Sequence, residues 1–257
     1  MTSDGPAADN MSIEDYLAQG GKLTSPDNPP PRYRAELLRM MSSFVDSELA
    51  GSAGFASSIN WAPGIKERIA ASRIVLEKAD HAERVLDLMG DFGTDKTRYN
   101  QLHDWAARSP RAARHDPQRR GSDMRLSVFH YPFEDWTDAV VMNVLMGLAT
   151  VHQLGEMSQC SYTPLAEVMR QILPREQRHM ELGLEGLERI VGDPGGLQRA
   201  KACVDYWYPR VAETFGSAGS ERFQRLARMG LRRTANEDLQ AAWAEAANKQ
   251  LVRLQLA

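Results

Sequence analysis

Cysteine is scarce in this chain: Cys160 and Cys203 are the only two among 257 residues. Two are too few for a disulfide framework, and nothing near either has the spacing of a zinc site, so both read as core thiols. Net charge is nearly absent as well. A formal charge of −3 gives no general attraction to nucleic acid or to a membrane surface. No stretch approaches roughly eighteen uninterrupted apolar residues, so no segment is expected to span a bilayer. The first residues, Met1 to Pro6, contain no basic stretch followed by an apolar one, as a secretory leader would. Period-two alternation is missing over any useful length, which argues against strands. These absences leave a soluble, cytoplasmic, all-α protein as the expectation.

What is present is a sizeable core and a set of amphipathic runs. Hydrophobic residues make up 42% of the chain, enough for one large domain, placed here at residues 32–257. Residues 1–31 are rich in Pro, Gly, Ser and Asp and end in Pro29, Pro30 and Pro31. They read as a flexible N-terminal arm or a strap across the body, with Ile13, Tyr16 and Leu17 suited to a docked turn. Leu37, Met41, Phe44, Val45 and Glu48 recur at helical spacing over residues 33–53. A second helix is expected over residues 63–89, with Ile74, Lys78, His81 and Val85 on one face. Residues 93–134 have mixed periodicity and read as short helices and loops. A third helix at 135–157 aligns Val140, Val144, Gly147 and Val151, and a fourth at 164–191 aligns Met169, Ile172, Glu176, His179 and Gly183. Further helices are expected through Trp207 with a break at Pro209, over residues 220–232, and from Asn236 with Thr234 and Glu237 as a capping box. Trp207, between Tyr206 and Tyr208, reads as a wedge against the bundle.

The informative residues are the polar ones on these apolar stripes. An ionised carboxylate there is costly unless paired, protonated or bound to metal. Glu176 and His179 stand three apart on one helix face, and Glu77, Lys78 and His81 form an imperfect copy on another. Facing Glu-x-x-His helices, with carboxylates from two more, build a di-iron or di-manganese site. The four core helices bring Glu48, Lys78 with His81, Gly147, and Glu176 with His179 to the stripe. His103, His115, His130 and His152 have no partner at ligand spacing.

Several stretches together resemble the catalytic subunit of the phenylacetyl-CoA epoxidases, which are ferritin-like, carboxylate-bridged di-iron oxygenases. They are Ser47-Glu48, Asn60-Trp61, Ala79-Asp80-His81, and Ser127 to Pro132 with Trp136. Cys160-Ser161-Tyr162, Glu176 to His179, Tyr206 to Pro209 and Asn236 to Leu239 complete the set. The resemblance implies a ferritin-like four-helix bundle with additional C-terminal helices. It also implies iron ligands at one glutamate of the first helix, Glu-x-x-His of the second, an acid of the third and Glu-x-x-His of the fourth. Glu48, His81, Glu176 and His179 fill four of these positions, while Lys78 and Gly147 occupy the other two. A lysine between two carboxylates can replace the charge of a metal, and the family's structural, non-catalytic subunit resembles that arrangement.

The site therefore admits three forms: a metal-free salt-bridge network centred on Lys78, a single ion on Glu48, His81, Glu176 and His179, or a slipped di-iron site that recruits Glu77. Glu77 also matches an acid that, by the same resemblance, orients a histidine without binding metal. Three functions follow: a scaffold or partner subunit in phenylacetate-type catabolism, an iron-dependent oxygenase or oxidase, or an acyl-CoA-binding module. The expectation favours no cofactor, with iron as the alternative, and an oligomer formed with itself or with another ferritin-like subunit. Arg108, Arg111, Arg114, Arg119, Arg120 and Arg125 are candidate contacts for CoA phosphates, since planar guanidinium groups suit phosphate oxygens.

Overall fold

The structure, a computed structural model, describes residues 12–115 and 122–257. Arg119 and Arg120 lie outside the described residues. The helices, in chain order, are α1 (Ile13–Ala18), α2 (Pro31–Ser58), α3 (Ile65–Gly90), α4 (Lys96–Tyr99), α5 (Trp136–Met157), α6 (Thr163–Gly192), α7 (Gly196–Ala212), α8 (Glu221–Arg228) and α9 (Asn236–Arg253). Short 3₁₀ turns add to these at Ile59–Trp61, Ser127–His130 and Glu213–Phe215. Among the described residues no strand forms, and no helix is long and apolar enough to cross a membrane.

Helices α2 and α3 form one hairpin and α5 and α6 another, joined by the long connection between Gly90 and Trp136. Two hairpins and one long crossover make an all-α, ferritin-like bundle. The apolar stripes seen in the sequence are the buried faces: Leu37, Met41 and Val45 on α2, Ile74 and Val85 on α3, Val144 on α5, and Met169 and Ile172 on α6 are all at most 4% exposed. One part of the core joins α2, α3 and the first half of α6, and another joins α5 to α7 and α9. The charged residues on the stripes lie in between.

Residues 12–31 lie against the body as a strap. Leu17 and Leu23 are buried, Leu23 N–H donates to Ser161 O at 2.8 Å, and Thr163 N–H donates to Leu23 O at 2.9 Å. Cys160 and Cys203 are buried free thiols.

Two sequence expectations change in the C-terminal region. Helix α7 does not break at Pro209 but continues to Ala212. Trp207 and Val211, both 0% exposed, pack on either side of the proline and hold the helix through the missing hydrogen bond. Thr234 and Glu237 form no capping box. Thr234 Oγ1 donates to the buried Glu156 carboxylate at 2.9 Å, and Glu237 Oε1 accepts from Gly219 N–H at 3.4 Å.

Trp207 does act as a wedge, and its anchor is Asp138, a fully buried acid on α5. Asp138 accepts from Trp207 Nε1 at 2.7 Å, Arg111 Nη1 at 2.5 Å and Glu134 N–H at 3.0 Å. Asp138→Ala is expected to cost about 3 kcal/mol, because it strands the buried Trp207 indole N–H and removes the buried partner of Arg111. Urea unfolding of the variant against wild type measures this.

Candidate functional site

Helical period and core pressure together deliver the central side chains. Glu48 sits on the buried stripe of α2 seven residues after Met41, Lys78 and His81 follow Ile74 on α3, and Glu176 and His179 follow Ile172 on α6. All five are at most 6% exposed. Lys78 Nζ stands between the two carboxylates, donating to Glu48 Oε1 at 3.0 Å and to Glu176 Oε1 at 3.1 Å. His81 Nδ1 bridges the same pair from the other side, 3.2 Å from Glu48 Oε2 and 3.0 Å from Glu176 Oε1. His179 stacks on His81 with ring centroids 5.8 Å apart, and its Nε2 lies 2.6 Å from Glu77 Oε2. Glu77 thus meets the α6 histidine and not His81. His179 Nδ1 lies 3.3 Å from Glu176 Oε1 but out of line for a hydrogen bond.

The electrostatics follow from this packing. Burial alone would drive the Lys78 ammonium toward neutrality, yet Glu176 and Glu48 more than reverse that and hold its pKa above the ordinary lysine value. Burial likewise opposes protonation of His81, and its hydrogen bonds to Glu176 and Glu48 overcome it, raising the pKa. Glu176 is pushed up by burial but is held well below the usual carboxylate range by Lys78, His179 and His81. Lys78 and, when it is protonated, His81 thus face the Glu48 and Glu176 carboxylates as cations.

A metal pair does not fit this arrangement. Ligand atoms of Glu48, His81 and Glu176 do lie within 4.8 Å of one another, the spacing an ion needs. The Lys78 ammonium, however, already bonds both carboxylates. At position 147, a Cβ would lie 2.9 Å from Met180 Cβ and 3.2 Å from its Cα. Helix α6 therefore fills the space that a side chain from α5 would need.

A cleft of about 700 Å³ runs from this cluster to the surface between α2, α5 and the C-terminal helices. Glu48 and Ser47 form its inner end, Phe44, Phe129, Met146 and Phe215 its apolar throat, and Arg39, Arg222, Arg225 and Arg232 its outer part. Arg222 and Arg225 share Glu36 at 3.1 and 3.8 Å, and Arg232 lies 3.7 Å from Glu156. Sequence reading missed these four arginines. Arg222 and Arg225 were visible as a pair three apart on a short basic helix, but nothing local said which way they faced.

The arginines the sequence did single out are placed differently. Arg108 donates to the carbonyls of Ala50, Trp105 and Ala107, and burial lowers its pKa to about 10. Arg111 is held by Asp138 and Glu134 and stacks 3.5 Å over the Tyr206 ring. Arg125, 2% exposed, is held by Asp123 and by the carbonyls of Trp105 and Asp104. These three serve as internal ties, because the loop that carries them packs onto α2 and α5 and turns their guanidinium groups toward protein partners. Arg114 is exposed on the same loop. His115 and His130 stack at 4.6 Å; burial lowers the pKa of both, His130 to about 4.

Paired carboxylates and histidines, carried inward by two helix hairpins, define the ferritin-like class built around a carboxylate–histidine core. The departure within that class is a lysine at the centre. The chain belongs to the phenylacetic acid catabolic protein family, whose profile matches residues 11–257. It is similar to one of the subunits of the 1,2-phenylacetyl-CoA epoxidase of Escherichia coli (strain K12), at 24% identity over 205 residues. That match covers 77% of this chain and 60% of the length of the relative.

Proposed function

We propose that this chain serves phenylacetate-type aromatic-acid catabolism in the cytoplasm as a metal-free, ferritin-like partner of a metal-loaded subunit. In this reading it supports the assembly and keeps a cleft for an acyl-CoA-type ligand, while oxygen chemistry belongs to the partner. The observation that carries the proposal is the Lys78 ammonium, hydrogen-bonded to both Glu48 and Glu176 where a cation of the family would sit. Its charge is part of the chain. The cleft supports the ligand half: an apolar throat accepts an acyl or aryl group, and an arginine-bearing outer part suits phosphate oxygens.

Metal analysis of protein expressed with excess iron tests this reading. The expected result is iron and zinc far below one ion per chain, unchanged by His179→Ala. Two irons per chain, lost on His179→Ala, would establish the oxygenase in its place. The mutual approach of Glu48, His81 and Glu176 gives a single-ion site its one supporting observation. One ion per chain, lost on His81→Ala, would select that form.

A further inference from the structure

One helical turn from the charged cluster, and separate from the large cleft, the bundle holds a second and smaller recess. Its position follows from register: Ile74 precedes Lys78 by four residues, Asn143 precedes Gly147 by four, and Gly183 follows His179 by four. Its volume is about 160 Å³. Phe55, Ile74, Ala139, Val140, Trp136 and Leu182 supply apolar walls, and the Arg189–Glu67 ion pair, at 2.7 Å, stands at its edge. An apolar cavity of roughly 150 Å³ suffices to hold a benzene ring.

The recess also contains one polar group with a defined direction. Asn143, 6% exposed, donates through Nδ2 to the His179 carbonyl at 3.0 Å. A carbonyl can only accept, so this bond fixes the amide and turns Oδ1 away from His179. Among the described residues no group donates to that oxygen. The seat of the amide is built by Gly183, where a Cβ would come within 2.5 Å of Nδ2. That oxygen is not among the enclosed polar atoms without a partner, so it is open to water in the recess, and a ligand that brings one N–H or O–H can take the place of a water there.

We propose that this recess is a binding site for a small, uncharged, monocyclic aromatic carrying one hydrogen-bond donor, the phenol class, with the ring against Ile74 and Val140 and the donor on Asn143 Oδ1. Ring size is set by the volume and the donor by the amide oxygen, which no described protein group reaches. The site shares no lining residue with the large cleft.

Gly186 gives a clean test. A Cβ there would meet Val140 Cγ1 at 3.5 Å, an ordinary contact, so a side chain at 186 enters the recess without disturbing the helices. Titration of the full chain with phenol, followed by calorimetry and by the methyl resonances of Ile74, Val140 and Leu182, should show saturable binding near about 1 mM. Toluene should bind about fivefold more weakly, for want of the donor. Gly186→Ala should weaken phenol binding while raising the melting temperature, since alanine is the better helix former, and Gly186→Val should abolish binding. No saturable binding of phenol to the wild type overturns the proposal. So does binding that survives Gly186→Val in a folded protein, or toluene binding as tightly as phenol.

Discussion

Lys78→Met is expected to lower folding stability by about 3–5 kcal/mol, the largest loss from any single substitution in the core. The lysine is 6% exposed and is the fixed cation between two carboxylates that are themselves at most 4% exposed. Methionine preserves the length and apolar body of the side chain, so packing is nearly conserved while Glu48 and Glu176 are left facing each other. His81 can neutralise only part of that charge. Combining Lys78→Met with Glu48→Gln and Glu176→Gln should recover most of the loss, because a neutral core has no stranded ion. Guanidinium unfolding of the single and triple variants reads both numbers. A single variant within about 1 kcal/mol of wild type would mean that the network does not hold the bundle.

The second large effect is expected at Gly147. Gly147→Asp should cost about 3 kcal/mol or more, since it forces a Cβ against Met180 and buries a carboxylate with no partner. Restoring both family acids together, as Lys78→Glu with Gly147→Asp, should not restore iron binding. The obstacle is backbone: the Met180 Cα itself is 3.2 Å from the required Cβ, so shortening Met180 does not clear the site. Iron content and thermal unfolding of the double variant check this. A folded double variant holding two irons per chain would show that α5 and α6 can separate at little cost.

The bundle was legible in the sequence because its polar residues obey the helical period. Glu48, Lys78, His81, Glu176 and His179 interrupt apolar stripes at positions that a buried face repeats every three to four residues, and three of the four core helices follow from them. Membership of a ferritin-like family, read from the same residues and the stretches around them, agrees with the matched family profile. What the sequence could not carry is direction within loops. Arg108, Arg111 and Arg125 lie in a segment without periodicity, and only the placement of that segment on α2 and α5 decides that they face carbonyls and Asp138. Thr234 fails as a cap for a similar reason, since Glu156, 78 residues earlier, claims its hydroxyl and its N–H. Asp46 escaped notice beside Ser47-Glu48. It accepts from Tyr99 Oη at 2.8 Å and Met124 N–H at 2.7 Å, partners that no local pattern announces.

A cation that is part of the chain has no dissociation constant. Metal-centred bundles are completed only when their ions are supplied, and chelators can take them apart. With Lys78 at its centre, the charge that pairs Glu48 and Glu176 is supplied as the helices close. If the site holds no metal, as proposed, that part of its stability belongs to the polypeptide alone, and a chelator should leave the bundle folded.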